Sequence, residues 1–376
     1  MRKNICELCS SISDTYKGNA EKVVLINTSD VYDGKCTNHT LVENKQLRGQ
    51  FKKTFKPNDI LYSEIRPANR RLAYIDFDTN NYIASTKLMV LRAKEGVNPK
   101  YLYQILRGNS TINALQLLAE SRSGTFPQIT FSELSNIEVN IPSEDVQNMV
   151  VSILSSLDAK IETNNKLNEK LEEMAQAIFK SWFVDFEPFK DQPFHETEIG
   201  YIPQIFESGV LGDLCTFKRG KGLLSKDAIP GDVPVIAGGM KPACYHNVAN
   251  TKAPVVTVSG SGANAGYTQI HNVDVWASDC SFIDSNCENL YYAYCFLSRR
   301  PKLLKHSQTG AAQPHVKPAD IHRFQVVIPT KEIINEFQET VKPLFDRIGM
   351  NKIENDRLAS LRDTLLPRLM SGEIKI

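Results

Sequence analysis

Two stretches of the chain carry one helical pattern, at a constant offset of about half the chain. The first reads ILSSLDAKIETNNKLNEKLEEM at 153–174, and the second reads LFDRIGMNKIENDRLASLRDTL at 344–365. In both, apolar residues and asparagines return about every 3.5 residues, which is typical of the seam between two paired helices. The matched seam positions are Leu157, Ile161, Asn164, Asn168 and Leu171, with Leu344, Ile348, Asn351, Asn355 and Leu358. We therefore predict two long helices that pair with each other, the first over about 146–184.

The seam asparagines favour one particular alignment of the two helices. An asparagine in a seam lowers stability but fixes register, because its amide requires a partner. The alternative is that these residues face solvent at the edge of the apolar stripe. Pro343 predicts a kink in the second helix or a separate first turn, with the tight pairing after it.

The repeat extends beyond the helices. IEVNIPSED at 137–145 matches FQVVIPTKE at 324–332, again at the offset that joins Leu157 to Leu344. Further upstream, ICELC at 5–9 resembles LGDLC at 211–215, while DILYSEIRPANRRLAYI at 59–75 and PVVTVSGSGANAGYTQI at 254–270 share only a strand, loop and strand pattern. A period near half the chain indicates two copies of one domain-plus-helix unit and not a solenoid.

These patterns predict an α+β fold with two α/β domains, separated by two long antiparallel coiled-coil helices in a pseudo-twofold tandem repeat. The first domain is expected at 1–145 and the first long helix at 146–187. A linker and the second domain follow at 188–330, and the second long helix follows at 331–376. Antiparallel pairing would set the two domains at opposite ends of a rod.

Composition places the chain in the globular class, with 41% hydrophobic and 23% charged residues. No apolar run approaches the roughly 18 residues of a membrane span, and the first residues lack the apolar stretch of a signal peptide. We therefore expect a cytoplasmic protein without a membrane partner, in which the eight cysteines are reduced.

Two small motifs leave alternatives open. Cys6 and Cys9, with Cys36 and His39, could form a zinc site, but the spacing is loose and the cysteines equally fit buried apolar positions. The glycine-rich segments at 218–226 and 258–267 lack the spacing of a P-loop or a dinucleotide fingerprint. A catalytic site is not indicated.

Charge is concentrated locally, although the net charge is only +1. Residues 45–71 contain eight basic and two acidic side chains. A basic loop with aromatic residues can form a phosphate-contacting surface, and the alternative is a solvated polar face.

Large apolar residues cluster at the ends of both predicted helices. AIFKSWFVDFEPF at 177–189 ends the first helix, and LLPRLMSGEI at 365–374 ends the second. These residues could close each helix against a domain, or they could serve as docking anchors for a partner protein. The docking candidates are Phe179, Trp182, Phe183, Phe186, Leu366 and Met370.

The chain resembles the specificity (S) subunit of Type I restriction–modification systems. The resemblance rests on MAQAIFKSWFVDFEPF after the first helix, LRDTLLPRLMSGEI after the second, GAAQPHV before VVIP, and VLGDLCTFKRG at the start of the second domain. It covers nearly the whole chain. The helix-end motifs are specific, whereas the domains themselves are generic.

The resemblance implies a non-catalytic subunit that selects a DNA sequence. Each target-recognition domain would read one half of a bipartite target in double-stranded DNA, and the paired helices would set the spacing and dock two modification (methyltransferase) subunits. Restriction (translocase/nuclease) subunits would join that complex. The chain itself would hold no cofactor or metal, since S-adenosylmethionine, ATP and Mg are expected on the partner subunits.

Basic residues are expected to contact phosphates, and polar loop residues are expected to read base edges in the major groove. The candidates in the first domain are Lys52, Lys53, Arg66, Asn69, Arg70, Arg71, Thr125 and Gln128. Those in the second domain are Lys218, Arg219, Lys221, Lys241, Ser261, Asn264, His306, Gln313 and His315.

Two competing functions remain at this point. The first is a stand-alone bipartite DNA-binding regulator whose helices recruit no enzyme. The second is a nuclease, because Asp59 and Glu64 lie near a predicted strand, although no Glu-x-Lys pattern follows them. Copurification with a methyltransferase separates the specificity subunit from the regulator, and magnesium-dependent cutting would support the nuclease.

Overall fold

The computed structural model describes residues 2–45, 49–121, 127–299, 315–371 and 373–374. The chain divides into two units, Met1–Ile161 with Asp356–Ile376, and Glu162–Asn355. Each unit therefore contains one of the repeated blocks together with parts of both long helices. No helix in the described ranges is long and apolar enough to cross a membrane.

In the described residues, the first unit contains four sheets, two of them two-stranded (β1 with β12, and β4 with β5), together with the start of the first long helix and the end of the second. Its helices are α1 (Ile5–Leu8), α2 (Pro99–Arg107), α3 (Asn109–Ser121), α4 (Phe131–Ser135) and α5 (Glu144–Phe183), of which α5 continues into the second unit. Its strands are β1 (Arg2–Asn4), β2 (Cys9–Ile12), β3 (Lys22–Ile26), β4 (Val31–Tyr32), β5 (Lys35–Cys36), β6 (Leu41–Glu43), β7 (Phe51–Lys53), β8 (Ile60–Ser63), β9 (Leu72–Tyr74), β10 (Tyr82–Ser85), β11 (Leu88–Ala93) and β12 (Glu138–Asn140). The main sheets have the orders β2-β11-β8-β9 and β6-β3-β10-β7, and β1 pairs with β12.

The β2-β11-β8-β9 sheet is buried on both faces. Along β8, Ile60 and Tyr62 pack into a core that includes α2 and the long helices, while Leu61 packs into a core shared with the other sheet. Alternate side chains of a strand point to opposite faces, so one apolar run supplies both cores. This burial holds the loop after β8 at the edge of a rigid layer.

The second unit repeats this arrangement. Its strands are β13 (Phe194–Thr197), β14 (Gly200–Pro203), β15 (Glu207–Val210), β16 (Lys218–Arg219), β17 (Val233–Ile236), β18 (Cys244–His246), β19 (Val255–Ser259), β20 (Thr268–His271), β21 (Trp276–Ala277), β22 (Cys280–Ile283) and β23 (Gln325–Ile328). Its helices are α6 (Leu211–Leu214), α7 (Leu290–Ser298), α8 (Pro318–His322) and α9 (Lys331–Ser371), of which α9 continues into the first unit.

The sheet orders confirm the predicted tandem repeat. The order β16-β22-β19-β20 matches β2-β11-β8-β9, and the pair β15 and β23 matches β1 and β12. In the remaining sheet, β17 pairs antiparallel with β18 and parallel with β21, as β3 does with β6 and β10. The weak sequence likeness upstream of the helices therefore corresponds to a shared topology.

The long helices α5 and α9 run antiparallel. Asn164 Nδ2 donates to Asn355 Oδ1 at 2.8 Å, and Asn351 Nδ2 donates to Asn168 Oδ1 at 2.8 Å. Residue numbers rise along one helix as they fall along the other, which is the antiparallel case. Asn164 and Asn351 are each only 1% exposed. Their amides thus lie between the helices and not at a solvent-facing edge.

Pro343 does not separate the first turns of α9, because the helix is continuous from Lys331 to Ser371. The expectation that close pairing lies only after this proline is also wrong. Phe337, which precedes it, has its ring centroid 5.9 Å from that of Phe179 and 5.1 Å from that of Phe183 on α5. Close packing of the two helices therefore occurs on both sides of Pro343.

Asn351→Ala is expected to lower the free energy of unfolding by about 1–2 kcal/mol, because it removes a buried hydrogen bond and leaves a partner amide unsatisfied. Urea denaturation of the full chain measures the change. Asn335→Ala, which alters an exposed asparagine of the same helix, is the matched control and should change the value by less than about 0.5 kcal/mol. Equal effects of the two substitutions would contradict the buried role.

Candidate nucleic-acid interface

The loop between β8 and β9 brings four of the candidate residues together. It contains a short 3-10 turn, Pro67–Asn69, flanked by Arg66 and Arg70 with φ angles of 44° and 52°. Residues other than glycine rarely adopt this left-handed backbone, so the surrounding structure must stabilise it. The Arg66 amide donates to the Pro127 carbonyl at 3.1 Å, and the Ala68 amide donates to Gln116 Oε1 at 3.0 Å.

The four loop side chains differ in their exposure and in their hydrogen bonds within the protein. Arg66 and Asn69 are exposed, whereas Arg70 and Arg71 are half-buried. Arg71 Nη1 donates to Thr28 Oγ1 at 3.4 Å. The Arg70 guanidinium is bound within the protein, since Nη1 donates to the Arg107 carbonyl at 3.2 Å. Of the four candidates, Arg66 and Asn69 are therefore the exposed ones. The assignment of Arg70 as a direct DNA contact is corrected to a loop-holding residue.

Gln128 lies beside this loop, through a β-bridge between Ile65 and Gln128. Its Oε1 accepts a hydrogen bond from Lys87 Nζ at 3.4 Å, and the same ammonium lies 3.8 Å from Glu64 Oε2. Lys87 was missed at the sequence level because it precedes the buried strand β11 in an otherwise apolar stretch.

Lys52 and Lys53 lie on β7, but only one of them faces solvent. Lys52 is exposed. Lys53 Nζ donates to the Leu88 carbonyl at 2.8 Å, and burial lowers the pKa of Lys53 below its ordinary value. The assignment of Lys53 as a phosphate contact is therefore wrong, because its ammonium is bound to the protein's own backbone.

The second unit has an equivalent loop between β19 and β20. It contains Ser261, the 3-10 turn Gly262–Asn264, and a left-handed backbone at Gly262 with φ of 75°. A β-bridge joins Ser261 to His315, just as Ile65 is joined to Gln128 in the first unit. The Ser261 hydroxyl donates to the carboxylate of Asp279. Both units thus place a hairpin loop against the segment that precedes a short helix.

Three basic side chains lie beside this second loop. Arg219, His315 and Lys317 line one small pocket together with Asp279. Lys218 and Arg219 are exposed on β16, and Lys241 is exposed before β18. The unit therefore has basic side chains beside the loop, and further exposed lysines on β16 and before β18.

Lys221 follows β16 and is held by Trp276. Its ammonium lies 5.9 Å from the centre of the indole ring, and its carbonyl accepts the indole N–H at 2.8 Å. A cation over an indole face is attracted by the ring's quadrupole. Trp276 was not identified from the sequence, since only the folded chain brings it to this lysine.

Three candidate contacts, Thr125, His306 and Gln313, lie outside the residues that the structure describes, as does the side chain of Met370.

The other docking candidates can be placed. Phe179, Phe183, Phe186 and Leu366 are buried within the chain. Their assignment as docking anchors is therefore wrong, because they close the helix ends against the domains. Trp182 is half-buried and packs on Phe337 and Phe189.

Cys6, Cys9, Cys36 and His39 are the residues of the possible zinc site. In the part of the chain that the structure describes, no three His, Cys, Asp or Glu side chains are grouped so as to hold a metal ion. Cys9 is buried, which raises the pKa of its thiol to about 12. The ring nitrogens of His39 lie 2.8 Å from the Tyr82 hydroxyl and 3.1 Å from the Cys36 carbonyl. Cys9 thus fits the buried apolar alternative, whereas Cys36 is half-buried and Cys6 is exposed.

Comparison with known proteins places this geometry in a family. The model described as "Type I restriction modification DNA specificity domain" matches residues 3–173 and again 203–362. The Type I restriction enzyme HindI specificity subunit of Haemophilus influenzae is 31% identical, over 98% of this chain and 98% of that protein. The MjaIX specificity subunit of Methanocaldococcus jannaschii is 28% identical, over 81% of this chain and 76% of that protein.

The likeness extends to a solved structure. The crystal structure of the Type I restriction–modification S subunit from M. genitalium has a TM-score of 0.54 and 19% identity, over 98% of this chain and 95% of that chain. At this identity the comparison concerns the fold alone.

Arg66→Ala is expected to weaken binding of specific duplex DNA about tenfold at fixed salt, because one exposed arginine at a base edge or phosphate contributes on the order of 1–3 kcal/mol. Titration of DNA with the assembled complex at several salt concentrations measures the loss. Arg2→Ala, which removes an exposed arginine outside this loop, should leave the affinity within about twofold. Unchanged affinity and salt dependence for Arg66→Ala would remove this loop from the interface.

Proposed function

The chain belongs to the Type I restriction–modification DNA specificity family, and from this premise we propose that it is the DNA-specificity subunit of a Type I restriction–modification complex. Each unit reads one half of a bipartite target, and the paired helices set the spacing between the halves. The subunit selects the sequence and leaves the chemistry to its partners.

The observation that carries this proposal is the repeated topology with unlike loops. At the equivalent β-bridge, the first unit pairs Ile65 with Gln128, next to the exposed Arg66, and the second unit pairs Ser261 with His315. Equivalent positions on one scaffold with different donors and acceptors favour the reading of two different base sequences. Arginine suits guanine, amides suit adenine, and hydroxyls accept either partner.

The partners follow from the same proposal. Two modification subunits bind the subunit and carry S-adenosylmethionine, and restriction subunits with ATP and Mg join them. The backbone phosphates of the DNA contact the exposed basic residues. These are Lys52 and Arg66 in the first unit and Lys218 and Arg219 in the second. The paired asparagines of α5 and α9 support the spacer role, since a fixed helix register gives a fixed separation.

The stand-alone regulator is the less favoured alternative. Relatives that cover nearly the whole chain are specificity subunits of restriction enzymes. Purification of the tagged chain from its own cells distinguishes the two functions. Recovery of methyltransferase subunits supports the specificity role, and tight DNA binding by the chain alone without them supports the regulator.

Deletion of the gene is expected to abolish adenine methylation at one bipartite motif and to leave all other methylated motifs unchanged. The reason is that one pair of recognition units specifies one pair of half-sites. Genome-wide methylation mapping with and without the gene measures this, and return of the chain on a plasmid is the control. Unaltered methylation at every motif, with the partner genes expressed, would refute the proposal.

A further inference from the structure

In the first unit, a ring of charged and amide side chains connects the β8–β9 loop with both long helices. At its centre lies Asp158 on α5. Its Oδ2 accepts a hydrogen bond from Arg107 Nη1 of α2 at 2.8 Å, and its Oδ1 accepts one from Arg362 Nη1 of α9 at 2.7 Å. Gln104 adds a third hydrogen bond at 3.3 Å. One carboxylate thus joins three helices.

The ring closes through the loop on both sides. On one side, Arg362 Nε donates to Asp363 Oδ1 at 3.0 Å, and Asn109 Nδ2 donates to Asp363 Oδ2 at 3.3 Å. Arg70 of the loop then donates to Asn109 Oδ1. On the other side, Arg70 Nη1 donates to the Arg107 carbonyl at 3.2 Å.

Asp33 adds a carboxylate between the two arginines of this second side. Its Oδ1 lies 3.8 Å from Arg70 Nη1 and 3.7 Å from Arg107 Nη2. Three arginines and three aspartates therefore balance within one connected set.

Burial of two of its arginines makes this ring sensitive to the loss of the carboxylates that pair with them. The side chains of Arg107 and Arg362 are only 7% and 11% exposed. Burial lowers the pKa of Arg362, but the hydrogen bonds and charges of Asp158 and Asp363 outweigh it and raise that pKa above its ordinary value. A buried guanidinium without its carboxylate is strongly unfavourable, and planar arginine pairs restrict the geometry of both partners.

The repeat shows that the fold itself does not require this ring. The offset that joins the two copies of the long helix places Phe345 at the position of Asp158 and Ala175 at the position of Arg362. Both are fully buried, and the Phe345 ring stacks on Tyr291 with centroids 5.0 Å apart. The second unit closes the same helix position with apolar contacts, which can be as stable as an ion pair or more so.

What the first unit needs, and the second does not, is support for a strained loop. In the first unit Arg66 and Arg70 adopt left-handed backbone, whereas in the second loop that conformation falls on two glycines, Gly262 and Gly266. A side chain in this region persists only when its surroundings hold it. The Arg70 guanidinium anchors the loop through its hydrogen bond to the Arg107 carbonyl, and the ring in turn fixes the position of that guanidinium.

We propose that Arg70, Arg107 and Asp158 are positioning residues for DNA-sequence selection: the ring ties the β8–β9 loop to α5 and α9, so that the helix pair sets how the first unit reads its half-site. The inference rests on the proposed function, and it assigns a specificity role to residues whose charged groups are bound within the protein.

The test uses the full-length subunit assembled with its methyltransferase. Methylation rates are measured on the target and on duplexes with one base changed in either half-site. Asp158→Asn and Arg70→Gln are each expected to reduce discrimination about tenfold in one half-site, the same half that Arg66→Ala affects. Discrimination in the other half should change less than twofold. The double variant should resemble either single one, because both break the same ring.

Asp346→Asn is the matched control, since it neutralises an aspartate of α9 that pairs with Lys342 in an exposed position. It should alter neither half-site. If the ring serves stability alone, Asp158→Asn lowers the thermal midpoint and reduces methylation equally at both halves, and this overturns the inference. Arg70→Gln keeps the Asp158 pairs, so it decides the matter even if Asp158→Asn fails to fold.

The two proposals fail in different ways. If the wild-type assembly methylates no bipartite target, the proposed function is wrong. If it methylates its target but both variants discriminate as the wild type does at each half-site, the proposed function stands and the positioning role of the ring is wrong.

Discussion

The structure depends on the amide hydrogen bonds between two antiparallel helices. Asn164 and Asn351 lie in almost complete burial, each bonded to an asparagine of the opposite helix. A buried amide without a partner is strongly unfavourable, so a slip of one helical turn is excluded by what it would leave unsatisfied. Each unit takes part of its core from both helices, with Phe179 and Phe337 in one core and Leu154 and Leu366 in the other. The shape of both cores therefore depends on that register.

Much of this architecture could be predicted from periodicity alone. The spacing of apolar residues and asparagines marked both helices to within a few residues, because a helix pair imposes its period locally. The constant offset between the two copies indicated the tandem repeat. The strand, loop and strand pattern around Arg66 and Ser261 located both hairpin loops, since strands rich in β-branched residues and turns rich in small polar residues are also local signals.

Other features depend on partners that are distant in the sequence. From the sequence, Phe179 and Phe183 fitted an exposed docking anchor as well as a core position. In the folded chain, Tyr292 and Phe337 pack against them. Lys53 looked like a phosphate contact, but its ammonium turns to the Leu88 carbonyl. Asp158 and Arg362 resembled the solvated charges of an ordinary helix surface. Their ion pair requires an alignment of α5 against α9 that composition does not specify.

The division of the chain has a consequence for the order of its assembly. The second unit is one continuous segment, Glu162–Asn355, and can gather its core from neighbouring sequence. The first unit takes Leu366 and Leu369 from beyond that segment. During synthesis, the core of the first unit can therefore be completed only after the whole of the second unit has been translated. Such long-range closure slows folding and prolongs the exposure of apolar surface, so the unit translated first is the unit completed last.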